Sequence, residues 1–304
     1  MVGEKGTRAS KGSMKVLVIG ASGMLGSDVV SELQQRGHEV ASPRSKELDI
    51  TNLEHVAGIA LSHGTYDWCI NCGAYTAVDK AESEVQLATE LNELGPAYLA
   101  NACSMAGAKL IHISTDFVFD GESTTPYETD APTNPLGVYG RTKRDGELAV
   151  LAANPNALIV RTSWLYGPNG KCFPKTMIAA WEAGKTLRVV SDQIGCPTST
   201  GDLARVLVDM IEANIYPGIY HACGPTVTNW HQFAIDAINK WKSSKGDDRT
   251  VEVEAILTDA YPTPARRPKY SVLACETLWD LWIKPMRPLD EALADFSAYL
   301  SKAH

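Results

Sequence analysis

Of the eleven tyrosines in this 304-residue chain, only Tyr139 is followed four residues later by a lysine, Lys143. On a helix that spacing puts both side chains on one face, about one turn apart. A phenol with an ordinary pKa of ~10 is a poor acid–base group unless something favours its anion. A nearby ammonium does so, and the expectation is that Lys143 draws the Tyr139 pKa towards the working range. The same lysine could hydrogen-bond the ribose of a nicotinamide cofactor. A third group has the right chemistry. Ser114-Thr115-Asp116 follows the apolar run Leu110 to Ile113, so the Thr115 hydroxyl belongs at the carboxyl end of a strand. Open α/β sheets place their ligands there, and a hydroxyl at that point can bind a substrate carbonyl oxygen and the alkoxide it becomes.

These groups need a sheet to carry them. Val16 to Ile19 is a short apolar run that stops at Gly20, with Gly23 and Gly26 following at three-residue spacing. The pattern reads as a buried strand, a tight turn and a helix start: Gly20 permits the turn, Gly23 lets backbone approach a pyrophosphate, and Gly26 allows close helix–strand packing. Phosphates would sit at the helix N-terminus. Helical periodicity runs from Ser27 to Arg36, and His38 to Ser42 reads as a second strand. Where an NAD site usually has an acidic residue, this chain has Ser42, Pro43 and Arg44. Ser42 and Arg44 suit a 2′-phosphate, which favours NADPH, with NADH as the alternative. A helix from Asn52 to about His63, a strand from Tyr66 to Asn71, a helical region from Lys80 to Ala106 interrupted near Gly95-Pro96, and a strand from Lys109 to Ser114 follow. A helix from Pro135 then carries Tyr139 and Lys143, ahead of a strand from Ala157 to Thr162. This alternation predicts a doubly wound parallel sheet covered on both faces. Past Trp164 it loosens, and a second, smaller lobe woven from several segments is expected.

Composition narrows the classes. A net charge of −8 argues against general nucleic-acid binding, and no apolar run approaches the ~20 residues of a membrane helix. Residues 1–13 lack the apolar centre of a signal peptide and read as a disordered extension or a cloning remnant outside the fold. Seven scattered cysteines suit a reducing cytoplasm. Cys69 and Cys72 form a C-x-x-C, but in a strand rather than at a helix start, so they read as buried thiols. None of the seven histidines falls in a metal-binding pattern, and no metal ligand is assigned.

Beyond these local patterns the chain resembles the extended short-chain dehydrogenase/reductases, and within them the dTDP-4-dehydrorhamnose reductase branch, from Met14 to the C-terminus. The resemblance rests on Asn71 to Glu82, Ser114 to Gly121, Asn134 to Glu147, Arg161 to Gly167, Asp192 to Thr198, and Tyr261-Pro262-Thr263-Pro264 with Arg267-Pro268. It implies a Rossmann-like domain over 14–165, completed by parts of 187–222, and a discontinuous substrate-binding lobe over 166–304. Residue by residue it implies Tyr139 as acid, Lys143 as its partner and Thr115 as the carbonyl-binding hydroxyl. Gly20, Gly23, Met24 and Leu25 would lie along the cofactor pyrophosphate, Asp49 and Ile50 near the adenine, and Cys72, Gly73, Ala74 and Thr76 along ribose and phosphate. Val78, Asp116, Phe117 and Trp164 would line the sugar pocket, with Arg267 a candidate for the substrate pyrophosphate. The implied activity is NADPH-dependent reduction of the C4 ketone of dTDP-4-dehydro-L-rhamnose. The alternatives are reduction of another dTDP-deoxysugar and a non-catalytic, NADP-binding regulatory subunit of the same fold. A 4,6-dehydratase would need Glu where Phe117 stands. Relatives usually carry Tyr at Phe117, and bacterial members often carry Glu, linked to a magnesium-bridged homodimer, at Asp28. A homodimer and Mg2+ therefore stay open.

Overall fold

The computed structural model describes residues 12–60 and 64–303; residues 1–11, most of the expected extension, and His63, the expected end of the second helix, lie outside the described residues. Among the described residues six strands form one parallel sheet: β1 (Lys15–Ile19), β2 (Glu39–Ala41), β3 (Trp68–Asn71), β4 (Lys109–Thr115), β5 (Leu158–Thr162) and β6 (Gly218–His221). Their spatial order is β6-β5-β4-β3-β1-β2. The order reverses between β1 and β3, and the crevice at that switch, outside the carboxyl ends of both strands, is where such sheets take a ligand. The strands read as near-continuous apolar runs because both faces are covered. One face packs Val16, Val18, Ile70 and Val160 against helices α1 (Met24–Gln35) and α6 (Thr200–Ala213). The other packs Leu17, Ile19, Leu110 and Ile159 against α2 (Leu53–Ala60) and α3 (Gly95–Ala106).

Two sequence-based boundaries move. The long helical region is broken at Glu82–Glu84, not at Gly95-Pro96: short helices Val78–Ala81 and Val85–Thr89 lead into a π-turn, Glu90–Leu94, that runs directly into α3. Pro96 lies in the first turn of α3, where its missing N–H would be unpaired anyway. The helix bearing Tyr139 and Lys143, α4 (Val138–Ala153), starts three residues after Pro135. Its first N–H groups have no cap from Gly137; the Val138 N–H donates instead to Glu82 Oε1 at 2.8 Å.

A further core lies beyond β5. Tyr166 of the short strand Leu165–Tyr166 packs with Trp181 of α5 (Phe173–Glu182), Phe233 and Trp241 of α7 (Trp230–Lys245) and Phe296 of α8 (Leu289–Ala303), flanked by paired short strands Leu187–Val190 and Val253–Ile256.

Candidate active site

The glycine turn is built as its spacing implies. Gly20 has φ of +73°, and a Cβ there would lie 2.6 Å from the Gly73 N atom. The turns after β1 and β3 thus meet at the switch point, bringing Gly20, Cys72 and Gly73 together. A Cβ at Gly26 would sit 2.2 Å from the Gly20 carbonyl oxygen, so α1 can pack this tightly only without one. Helix α1 begins at Met24 with Gly23 as its N-cap and no capping side chain. First-turn N–H groups at Met24 and Leu25 are therefore available to an anion, as a dinucleotide pyrophosphate requires. Ala74 and Thr76 continue along the irregular segment after β3, with Thr76 exposed.

Ser42 and Arg44 follow the end of β2 and are exposed; the Arg44 side chain is 82% accessible and pairs with Glu47 at 3.1 Å. Asp49 is tied into a turn by the Thr51 N–H and hydroxyl at 2.9 and 2.8 Å, while Ile50 is buried in the core below.

The reactive groups converge where β4 meets α4. Gly140 sets the approach: a Cβ there would fall 2.1 Å from the Phe117 carbonyl oxygen. The Phe117 and Tyr139 rings then meet edge to face, with centroids 5.5 Å apart. Thr115 Oγ1 accepts from the Phe117 N–H at 3.2 Å and donates to Asp116 Oδ1 at 3.0 Å. Burial pushes the Asp116 carboxyl up to about 6, against the opposing pull of the Ser271 and Thr115 hydroxyls. Val78 opens the short helix Val78–Ala81.

Lys143 differs from expectation. Its Nζ donates to the Ile113 carbonyl at 2.6 Å and lies 3.3 Å from His112 Nε2. The Tyr139 phenol is not drawn down by this amine: burial pushes it up to about 12, with the Thr115 hydroxyl offsetting part of the rise. Burial also lowers the Lys143 amine to about 8, opposed by Glu147 and Cys72. The phenol is thus a proton donor that keeps its proton at neutral pH, and the lysine is the group poised to titrate.

Glu147, one turn beyond Lys143, forms a buried pair with Arg161 of β5, with Nη2 to Oε2 at 2.7 Å and Nε to Oε1 at 2.9 Å. Sequence reasoning missed Asn92 in the π-turn. Its Oδ1 accepts from the Tyr75 N–H at 2.8 Å, and its Nδ2 donates to the Tyr75 carbonyl and Thr142 Oγ1, both at 3.1 Å. This one buried amide joins the segment after β3 to α4. Only an insertion in the helical period could have signalled it.

Trp164 occupies left-handed backbone, φ +46°, and its ring lies flat on Trp230 at 3.7 Å and 10°. Gly195 makes room for that ring: a Cβ there would be 2.6 Å from Trp164 Cε2. Trp230 and Phe173 line an adjacent cavity of about 360 Å³ with Arg188, Gln193, Tyr261 and Arg267. Within it Arg267 makes a two-point pair with Asp79, at 2.8 and 2.7 Å, and donates to Thr263 Oγ1 and the Ala265 carbonyl. Much of its donor set is therefore engaged. Arg188, which sequence reasoning did not single out, is the second cation of the cavity.

Burial raises the Cys72 thiol to about 12, and the neighbouring Cys103 and burial raise Cys69 well above the usual thiol range. Neither suits thiolate chemistry. Asp28 is engaged within the chain, accepting from Thr200 Oγ1 and Asn169 Nδ2. Among the described residues no three His, Cys, Asp or Glu side chains gather to hold a metal. Among the same residues no helix is long and apolar enough to cross a membrane.

A doubly wound parallel sheet, a bare glycine turn at its switch point and a threonine, tyrosine and lysine beside it define a Rossmann-type oxidoreductase of the short-chain dehydrogenase/reductase class. The family model described as the RmlD substrate binding domain matches residues 14–301, and the chain belongs to that family. It is 40% identical to a dTDP-4-dehydrorhamnose reductase of Mycolicibacterium smegmatis, over 93% of this chain and 85% of the relative. A probable dTDP-4,6-dihydroxy-2-methyloxan-3-one 4-ketoreductase of Streptomyces antibioticus is 38% identical, over 96% and 97%. Among solved structures, dTDP-4-dehydrorhamnose reductase of Bacillus anthracis in complex with NADP superposes with a TM-score of 0.87 at 34% identity, over 93% of this chain and 98% of that one.

Proposed function

We propose that this protein reduces the C4 ketone of dTDP-4-dehydro-L-rhamnose to dTDP-L-rhamnose with NADPH. The observation that supports the reading is the meeting of Thr115, Tyr139 and Lys143 where β4 meets α4: the Tyr139 phenol faces the Thr115 hydroxyl, and Lys143 lies near Cys72, which borders Gly20 of the glycine turn. The relatives' names supply the sugar. Gly20, Gly23, Met24, Leu25, Cys72, Gly73, Ala74 and Thr76 would hold the dinucleotide, with Asp49 and Ile50 near its adenine. Ser42 and Arg44 would receive the 2′-phosphate, and their exposure at the end of β2 supports this. The cofactor supplies hydride to C4.

Each chain group then has a defined task. Thr115 positions the ketone oxygen; to do so its hydroxyl must turn from Asp116 to the substrate. Tyr139, protonated at neutral pH, donates its proton to the oxygen as negative charge develops. Lys143 supports the phenolate electrostatically. Phe117, Val78 and the Trp164–Trp230 stack would form apolar walls for the sugar ring. The lobe built on α5, α7 and α8 would hold the dTDP end, in the cavity bordered by Arg188 and Arg267.

A test follows the hydride. With NADPH deuterated at both positions of nicotinamide C4, the product should carry one deuterium at sugar C4. Product without deuterium would contradict direct transfer. A deuterated product from another 4-keto sugar, formed faster, would favour the alternative substrate.

A further inference from the structure

We propose that Asn71 and His112, which no family role assigns here, are positioning residues that couple the proton on Lys143 to the backbone N–H of Gly73. The inference rests on the reading of Lys143 as part of a reductase site, but its test does not require turnover.

Asn71, His112 and Lys143 are all buried, and they form a continuous chain from β3 through β4 to α4. The Gly73 N–H donates to Asn71 Oδ1 at 3.0 Å. A backbone N–H can only donate, so this contact fixes which side of the Asn71 amide is oxygen. Asn71 Nδ2, a donor, therefore faces His112 Nδ1 at 3.1 Å. His112 must accept there and carry its hydrogen on Nε2, which points at Lys143 Nζ, 3.3 Å away. An imidazole N–H facing an amine is matched only when the amine offers its lone pair, so this arrangement holds Lys143 neutral. The remaining Nζ hydrogens include one for the Ile113 carbonyl.

Protonating Lys143 reverses the chain. An ammonium has no lone pair, so His112 Nε2 must become the acceptor and the imidazole hydrogen must reside on Nδ1. The net change is one proton taken up: the Nε2 proton passes to Nζ, and one from solvent ends on Nδ1. An Nδ1–H opposite the Asn71 NH2 is a clash of donors. The amide must turn its oxygen towards His112 and release the Gly73 N–H. That N–H belongs to the strip that meets the glycine turn at Gly20, so the lysine's charge and the cofactor cradle are tied by three side chains.

The groups around Lys143 agree with this. Cys72 after β3 is a thiol pushed up by burial, and Glu147 of α4 is already paired with Arg161 of β5. Burial and the lysine hold the His112 imidazole well below its usual value, so it stays neutral and can respond only by changing tautomer. Tyr139 keeps its proton, and burial brings the amine to about 8.

The experiment is 15N NMR of the full chain labelled at histidine and glycine, with His112 signals assigned by their loss in His112→Gln. Gly73 is assigned by its loss in Gly73→Ala. Between about pH 6 and about pH 10, His112 should change from the Nδ1–H to the Nε2–H tautomer. The Gly73 amide should move with the same midpoint, near 8. In Lys143→Met both changes should vanish. A single His112 tautomer across the range, different midpoints for His112 and Gly73, or a swap that survives Lys143→Met would overturn the proposal. Loss of reductase activity would not, because the readout is the proton itself.

Discussion

At the scale of single residues, the site divides its protons unevenly. Tyr139 is held near 12 and Lys143 near 8. The basic limb of the rate profile is therefore expected near pH 8, from Lys143, and a limb found only above 10 would assign it to the phenol instead. Tyr139→Phe removes the donated proton but keeps the ring against Phe117. Turnover should fall ~100-fold or more while NADPH affinity, read by fluorescence titration, stays within about twofold. Asp116 gives a separate check through stability. Its carboxyl moves from 3.8 up to about 6 on folding. The folded chain keeps that proton in the window between these values, while the unfolded chain has released it. Stability from this group is thus fullest below the window and declines as pH rises through it, by about 1.4 kcal/mol per pH unit. Asp116→Asn does not titrate, so its melting temperature should gain on the parent's from about pH 4 to 6 and then hold a constant difference.

At the scale of elements, α4 is held in place by contacts that leave no slack. Gly140 seats it against the Phe117 carbonyl, Gly146 against the Asn92 carbonyl at 1.9 Å for a Cβ, and Glu147 against Arg161. Gly140→Ala should push α4 from β4, lowering thermal stability by ~1–3 kcal/mol and activity by more than the stability loss explains. Glu147→Ala strands a buried guanidinium and should cost about 3–5 kcal/mol in denaturant unfolding. Much of this level was legible in the residues. The run Val16 to Ile19, the three glycines and the strand before Thr115 follow a period-and-punctuation pattern that local physics enforces. The break at Glu82–Glu84 and the π-turn were not legible, because they depend on contacts far away in sequence: Glu82 with the Val138 N–H, Glu84 with the Tyr75 hydroxyl, and Asn92 with Tyr75 and Thr142. The state of Tyr139 was misread for a related reason: spacing shows that Lys143 shares its face, but not that Nζ is already bound to Ile113 and His112.

At the scale of the whole molecule, the strand order sets what lies next to what. The switch between β1 and β3 puts the glycine turn beside Gly73, and β4 beside β3 carries Thr115 towards that crevice. The aromatic core of α5, α7 and α8 supplies Trp230 and Phe173, behind Trp164, where the proposed reading puts the sugar nucleotide. Trp230 could not be singled out from sequence, since a tryptophan at a helix start reads equally as core. Arg44, at the outer end of β2, is far along the sheet from these groups, so its effect should be confined to the cofactor. Arg44→Ala should weaken NADPH roughly tenfold and NADH hardly at all, as judged by their dissociation constants, and equal losses would remove Arg44 from 2′-phosphate recognition. The most direct test of the whole account is to supply the protein with NADPH and dTDP-4-dehydro-L-rhamnose, following cofactor absorbance and determining the product's C4 configuration. The expected result is one NADPH oxidised per dTDP-L-rhamnose formed. Binding of NADPH without its oxidation by this sugar would contradict the assignment.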